Sequence, residues 1–382
     1  MLLTLLYALC VIALLQGVLS LLQGFSSFRH IRTYRPKTNW RPRVVLFCPC
    51  KGSDEGFEKN VGSILAQDYP HLRVVFIVDS ESDAAVPTLR KFNATVLIAG
   101  HATARGQKVH NLIHAVEHAA GNAEVFVFCD SDARFPLAWI TNLIAPLESD
   151  NVAVSTGYRW YAAETGSLPA LLRSTWNASA VTMLGDHSRN FAWGGSMALR
   201  RDVFERIGIR EAWDGALSDD YAVTFAARRA RMRVVFVPSC LVPSYGDTTW
   251  RELLEFTTRQ LRITRVYEPH MWRMAFFSQT VFNTAFWGGL LLPWPFLLVT
   301  PGIYLLAGIK SYMRYDAVAN VLPESALSKQ RWSYILLAPL TALLFEYNLV
   351  LSALTRNIKW RQIRYRLISS NRTVVLRCDD ES

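Results

Sequence analysis

In Val125-Phe126-Val127-Phe128-Cys129-Asp130-Ser131-Asp132, five apolar residues run without a break into two carboxylates separated by one serine. An uninterrupted branched and aromatic run of this length reads as a strand buried on both faces. The acids then stand at its carboxyl end, the edge of a parallel α/β sheet where ligands bind. Outward from this stretch the pattern repeats: apolar runs at 44–48, 74–78, 95–98, 152–156 and 234–237 alternate with helical periodicity at 57–66 and 109–120. The alternation predicts a mostly parallel α/β sheet over residues 43–272.

Chemistry-bearing residues follow the strands. Asp130 and Asp132 can present oxygens to a hard divalent ion, Mg²⁺ or Mn²⁺, and through it to a diphosphate; a turn or cap role is the plainer use of such a pair. After the second run comes Val78-Asp79-Ser80-Glu81-Ser82-Asp83, which puts further carboxylates on the same edge. Ser218-Asp219-Asp220-Tyr221 opens a helical stretch reaching Arg231. Its acids suit a helix N-terminus, and Asp220 also suits a general base taking a proton from an acceptor hydroxyl.

Other motifs are less specific. Thr249-Trp250-Arg251-Glu252 has capping-box spacing, and the helix it opens carries Arg259, Arg262 and Arg265 at intervals of three. Water, lipid headgroups and a diphosphate compete as partners for those guanidinium groups. His110, His114 and His118 recur every four residues without an HExxH arrangement or nearby cysteines, which favours a polar helix face over a metal stripe. Gly52 and Gly56 flank Ser53-Asp54-Glu55, whose acids are wrong for cradling phosphate. Trp193-Gly194-Gly195-Ser196 either lines a cleft or turns the chain. The sequence contains no Walker A motif, dinucleotide fingerprint or nucleophile elbow.

Three nearly charge-free blocks lie outside this region. Residues 2–22 contain no charge, enough to span a bilayer, and lack the flanks of a cleaved signal. Residues 274–309 are also uncharged but carry Gly288, Gly289, Pro293 and Pro295, and so read as a broken span or a tight hairpin. Residues 334–354 carry only Glu346, expected to face protein, and Pro339, expected to kink a spanning or re-entrant segment.

Six basic residues between 29 and 43, and seven between 356 and 377, have no acid among them and place both flanks in the cytoplasm. Parity then favours an outside N-terminus and an even number of later crossings. The expected layout is an anchor at 1–24, a basic linker at 25–42, a cytosolic domain at 43–272, membrane segments at 273–355 and a basic tail at 356–382.

With 382 residues, 51% hydrophobic and 19% charged, the chain is too apolar for disorder. Its net charge of +10 reflects the two basic flanks, which suit anionic headgroups and argue against nucleic acid. The six cysteines form no CxxC pair and fit a reducing compartment.

Taken together, the chain resembles the membrane-bound, inverting glycosyltransferases of the GT-A fold, most closely the ceramide glucosyltransferase-like group with its bacterial hopanoid-pathway relatives. The resemblance runs along nearly the whole chain: Cys48-Pro49-Cys50-Lys51-Gly52, Gln67-Asp68-Tyr69-Pro70, Gly106-Gln107-Lys108-Val109-His110-Asn111-Leu112, Asp130-Ser131, Asp219-Asp220-Tyr221 and Trp360-Arg361-x-x-Arg364-Tyr365-Arg366-Leu367.

The resemblance implies that Asp79 and Asp83 contact the nucleotide, that Lys108 lies near the donor, and that Asp130 and Asp132 hold a metal-bound diphosphate. It makes Asp220 the base, and Arg259 and Arg262 steady the leaving group. Ile263 stands where the family's pattern has tryptophan. The implied substrates are a nucleotide sugar, by likeness a UDP-sugar, carrying glucose or an N-acetylglucosamine-type hexose, and a ceramide or hopanoid-like acceptor. The implied setting is a bacterial inner membrane or a Golgi or ER membrane. A polyprenyl-phosphate or polysaccharide acceptor keeps the fold, and a non-catalytic lipid-binding protein keeps it without turnover.

Overall fold

The computed structural model describes residues 2–294 and 296–378. Pro295, read above as one of the breakers of the second apolar block, lies outside them. The chain forms two compact units, each built from separated stretches. The first takes in Tyr34–Trp160, Asp186–Gly246 and the residues from Asn357 onward; the second takes in the N-terminal residues to Thr33, then Tyr161–Gly185 and Asp247–Arg356. The stretch read as one 43–272 domain is thus shared between them.

The first unit contains a seven-stranded sheet: β1 (Val44–Pro49), β2 (Leu72–Val78), β3 (Val96–Ile98), β4 (Val125–Cys129), β5 (Val152–Ala162), β6 (Ser196–Arg200) and β7 (Arg233–Tyr245), in the order β3-β2-β1-β4-β6-β5-β7. From β3 to β4 the pairs are parallel, while β6 runs antiparallel to both β4 and β5.

Two-residue periodicity explains how the sheet is buried. Leu46, Cys48, Val125, Val127 and Cys129 join one hydrophobic cluster, while Val45, Phe47, Phe126 and Phe128 join the cluster on the opposite face. The helix Phe57–Leu65 supplies Phe57, Val61 and Ile64 to the first cluster, and the helix Gln107–Ala119 supplies Val109, Leu112 and Ile113 to the second. Truncating a fully buried phenylalanine such as Phe128 costs about 3–5 kcal/mol.

The sequence reading missed β6 because Ser196-Met197-Ala198-Leu199-Arg200 has no β-branched residue. The stretch read as a basic tail also differs. It holds a three-stranded antiparallel sheet, β8 (Asn357–Trp360), β9 (Ile363–Ser369) and β10 (Arg372–Cys378).

In the second unit, Leu2–Thr33 is one helix of 32 residues. Among the described residues it is the one helix long and apolar enough to cross a membrane. The second apolar block gives two helices, Pro269–Gly289 and Val299–Val318, joined by residues 290–298. Cys10 and Ala13 of the N-terminal helix share an apolar cluster with Val281, Ala285, Phe286 and Ile303.

The third block forms Ala338–Leu354, whose 17 residues rise about 26 Å, short of an about 30 Å hydrocarbon core. The block is broken at Leu337, between the helix Ser333–Leu336 and Ala338–Leu354, and Pro339 sits in the first turn of the second, where its missing N–H has no partner to lose. Glu346 faces protein, accepting from Thr280 Oγ1 at 2.8 Å.

Candidate functional site

Because β2, β1 and β4 are parallel neighbours, the residues after them share one sheet edge. Lys51 follows β1, Asp79 follows β2, and Asp130 follows β4. Lys51 Nζ lies 2.7 Å from Asp79 Oδ2 and 3.4 Å from Asp83 Oδ2, and both carboxylates are almost fully buried. Asp83 is also tied to backbone: its Oδ1 accepts from the N–H groups of Gly52 and Ala85, each at 2.9 Å.

A second group forms around Asp130. Gln107 and Lys108 open the Gln107–Ala119 helix, and its start is pressed against the 216–217 backbone: Gly106 N donates to Ala216 O at 2.9 Å. From there Lys108 Nζ reaches Asp130 Oδ1 at 2.8 Å and Asp219 Oδ2 at 3.1 Å. Burial pushes the Lys108 ammonium down, but Asp130, Asp219 and Asp220 outweigh it and hold the group protonated.

Arg159, near the end of β5, converges on both members of the acidic pair. Its Nη2 is 2.8 Å from Asp130 Oδ2 and 2.7 Å from Asp132 Oδ1, and its Nη1 is 2.9 Å from Asp132 Oδ2. Burial raises Asp130, but Lys108 and Arg159 more than offset that and hold its carboxyl below the usual range. Asp132 ends above it, because burial outweighs Arg159 there.

The antiparallel register pairs Cys129 with Ser196, so the chain entering β6 covers the end of β4. Asp130 N donates to Gly195 O at 3.3 Å. Trp193-Gly194-Gly195 therefore lines the carboxylate group and also turns the chain into β6, with Ser196 N donating to Trp193 O at 3.0 Å. The glycines are required sterically: a Cβ on Gly195 would fall 2.6 Å from Asp130 Oδ2.

Asp219 and Asp220 open the helix Asp219–Arg229 with Ser218 as its cap. Asp219 is buried, and burial first, then the neighbouring Asp220 and Asp130 charges, push its carboxyl up to about 6 against the pull of Lys108. Asp220 is half-buried. It accepts from Tyr221 N at 2.8 Å and Gly194 N at 3.3 Å, and Ser218 Oγ donates to it. Asp220 thus accepts from the first turn of the helix, while Ser218 holds the cap.

The structure brings Asp79, Asp83, Lys108, Asp130, Asp132 and Asp220 to one edge of the first unit. Arg259 and Arg262 belong to the second unit, half-buried on its helix Trp250–Tyr267, where Thr249 and Glu252 make the expected capping box. Ile263 is buried in that helix. Arg265 has a structural partner, donating to the Ser352 and Ala353 carbonyls at 2.7 and 2.6 Å, the end of Ala338–Leu354.

Among the histidines, His110 Nε2 lies 2.9 Å from Ala99 O and His118 Nδ1 2.8 Å from His114 O. Among the described residues, the cysteines at 10, 48, 50, 129 and 240 are free and buried. Sequence reasoning missed Lys51, Arg159 and Asp219 as members of the site. The signal for Arg159 was present, since one charge interrupts the otherwise uncharged run of β5.

Carboxylates and fixed cations gather at the carboxyl edge of the α/β sheet, where ligands of such sheets bind, and the class of the protein is that of the glycosyltransferases. The chain belongs to glycosyl transferase family 21, whose family model matches residues 5–373.

Solved structures resemble it at low identity. A mannosyltransferase from Pyrobaculum calidifontis, determined with GDP-mannose and Mn²⁺, is 17% identical with a TM-score of 0.48, over 91% of this chain and 97% of that one. The glucosyl-3-phosphoglycerate synthase of Mycobacterium tuberculosis, determined with phosphoglyceric acid, is 12% identical with a TM-score of 0.40, over 60% of this chain and 85% of that one.

Proposed function

We propose that the protein transfers a hexose, of the glucose or N-acetylglucosamine type, from a nucleotide diphosphate sugar to a lipid hydroxyl with inversion of configuration. A UDP-sugar donor and a ceramide or hopanoid-like acceptor are the substrates this reading names. One observation carries it: beside the end of β4, Lys108 pairs with Asp130 and Asp219, Arg159 pairs with Asp130 and Asp132, and Asp220 accepts from the N–H of Gly194, whose backbone rests on the Lys108–Asp219 pair.

A divalent metal suits this donor set. Asp130 and Asp132 already converge on one cationic group, Arg159, and their hard oxygens are the donors that Mg²⁺ and Mn²⁺ prefer. Bound there, the metal would disperse charge on the departing diphosphate. Lys108, fixed between Asp130 and Asp219, contributes positive charge without reorganising.

Asp220 is the base in this reading because geometry comes before basicity. Asp220 is half-buried, whereas Asp219 is buried against the Gly194 backbone. Asp220 takes the acceptor's hydroxyl proton as the oxygen attacks the anomeric carbon and the bond to the diphosphate breaks. A single displacement turns an α-linked donor into a β-linked glycolipid. Arg259 and Arg262 keep the leaving-group role suggested by the resemblance. The Leu2–Thr33 helix supports a bilayer setting, from which a lipid hydroxyl would enter.

Membranes containing the protein, supplied with radiolabelled UDP-glucose or UDP-N-acetylglucosamine, should move label into the organic-extractable lipid, and membranes with Asp220→Asn should not. Equal transfer by the variant would refute the base assignment. Label that stays water-soluble with both donors would refute the sugar and lipid assignments.

A further inference from the structure

The β8–β9 hairpin turns through two residues, Arg361 and Gln362. Arg361 sits at φ +55°, a left-handed conformation that glycine or asparagine adopts far more readily. A strained non-glycine residue at a tight turn points to a use for its side chain.

That side chain is held in a defined place. Arg361 Nη1 donates to Asp54 Oδ1 at 2.6 Å, and Nη2 donates to Asp54 Oδ2, a two-pronged pair. Asp54 belongs to the Gly52–Gly56 loop after β1, whose acids are wrong for phosphate by themselves. With Arg361 docked, the loop carries a cation. The charges of Asp132 and Asp83 also act on this guanidinium and, with Asp54, favour its charged form. The hairpin is anchored a second time where Gln107 N donates to Tyr365 Oη at 3.2 Å, one residue from Lys108.

Two of the five N–H donors of Arg361 go to Asp54, and three remain for an anion. We propose that Arg361 binds the diphosphate of the nucleotide-sugar donor, aimed by Asp54 from the strained tip of the C-terminal hairpin. The proposal rests on the donor reading given above. It makes residues 357–378 part of the donor site, with Asp54 as a positioning residue.

The test measures binding of UDP, UMP and inorganic pyrophosphate to the full chain in detergent, for the parent, Arg361→Ala, Arg361→Lys and Asp54→Asn. The expected result is at least a tenfold loss of UDP and pyrophosphate affinity in R361A, with UMP changed less than twofold. R361K and D54N should fall between R361A and the parent. Equal weakening of UDP and UMP in R361A, or no weakening, overturns the proposal. So does a D54N loss as large as that of R361A, which would leave the pair only a tethering role. A parent that binds pyrophosphate but not UDP refutes the uridine donor while leaving Arg361 testable on pyrophosphate. A parent that binds neither refutes both readings.

Discussion

A Cβ built on Gly194 would fall 2.0 Å from Asp219 Oδ2. The same Cβ would be 2.8 Å from Lys108 Nζ, so the Gly194 backbone rests directly on this ion pair. Gly194→Ala must displace one of the two groups, and misplacement by about 1 Å can cost 10²-fold in rate. Transfer should therefore fall by about that factor. Gly62→Ala is the contrast, because its Cβ would meet Phe92 only at 4.0 Å, inside the Phe57–Leu65 helix. G62A should transfer normally and melt no lower than the parent, since alanine is favoured over glycine in a helix by about 1 kcal/mol. Initial rates and melting curves of both variants check this.

Removing the base should separate chemistry from binding. Asp220→Asn keeps one side-chain oxygen to accept from Tyr221 N, gives up the longer bond from Gly194 N, and cannot take a proton. Turnover should drop by about 10²- to 10⁴-fold, with UDP affinity within about twofold of the parent. A comparable loss of UDP binding would make Asp220 part of the donor site instead.

Asp219 gives a pH dependence of definite sign. Unfolded aspartate titrates near ~4, whereas burial pushes Asp219 up to about 6 in the folded protein. Between those values the native state binds the extra proton, so Asp219 makes the fold less stable as pH rises from ~4 to ~6. Asp219→Asn removes that proton. The Tm of D219N minus that of the parent should therefore increase between pH 4.5 and 6.5. A difference that stays flat or shrinks would contradict the raised value.

Arg159 neutralises the same two carboxylates that a metal would use. Arg159→Ala should lower stability in EDTA by roughly 2 kcal/mol, less than for a fully buried pair because Asp132 is about a third exposed. Mn²⁺ should then raise the Tm of R159A more than that of the parent. If Mn²⁺ stabilises both equally, Asp130 and Asp132 are not the cation site.

The strand that carries Asp130 was fully legible in the sequence, because β4 is buried on both faces and admits only apolar residues. The strands β5 and β7, beyond β6 in the sheet, were read short. Both extend past polar residues: β5 through Gly157 and Arg159, β7 through Ser239. At Gly157 a Cβ would meet Cys240 O at 2.0 Å, so close strand approach, a tertiary effect, dictates that residue. The C-terminal sheet was hidden by its charge. In Ile363-Arg364-Tyr365-Arg366-Leu367 the apolar residues are buried and the arginines exposed, a strict alternation that a count of basic residues conceals. The carboxylates were visible as positions after strands. Which cations pair with them, Lys51 with Asp79 and Arg159 with Asp130 and Asp132, emerges only when separate segments meet.

The order of segments along the chain affects when the enzyme can first work. Residues 357–378 complete the sheet-bearing unit, yet they leave the ribosome after every helix of the other unit has been synthesised. Until then Gln107 lacks its Tyr365 contact, and Asp54 lacks Arg361. A nascent chain halted at residue 356 would carry every carboxylate of the site and none of this clasp, so the donor role proposed for Arg361 makes competence wait for the last hairpin to dock.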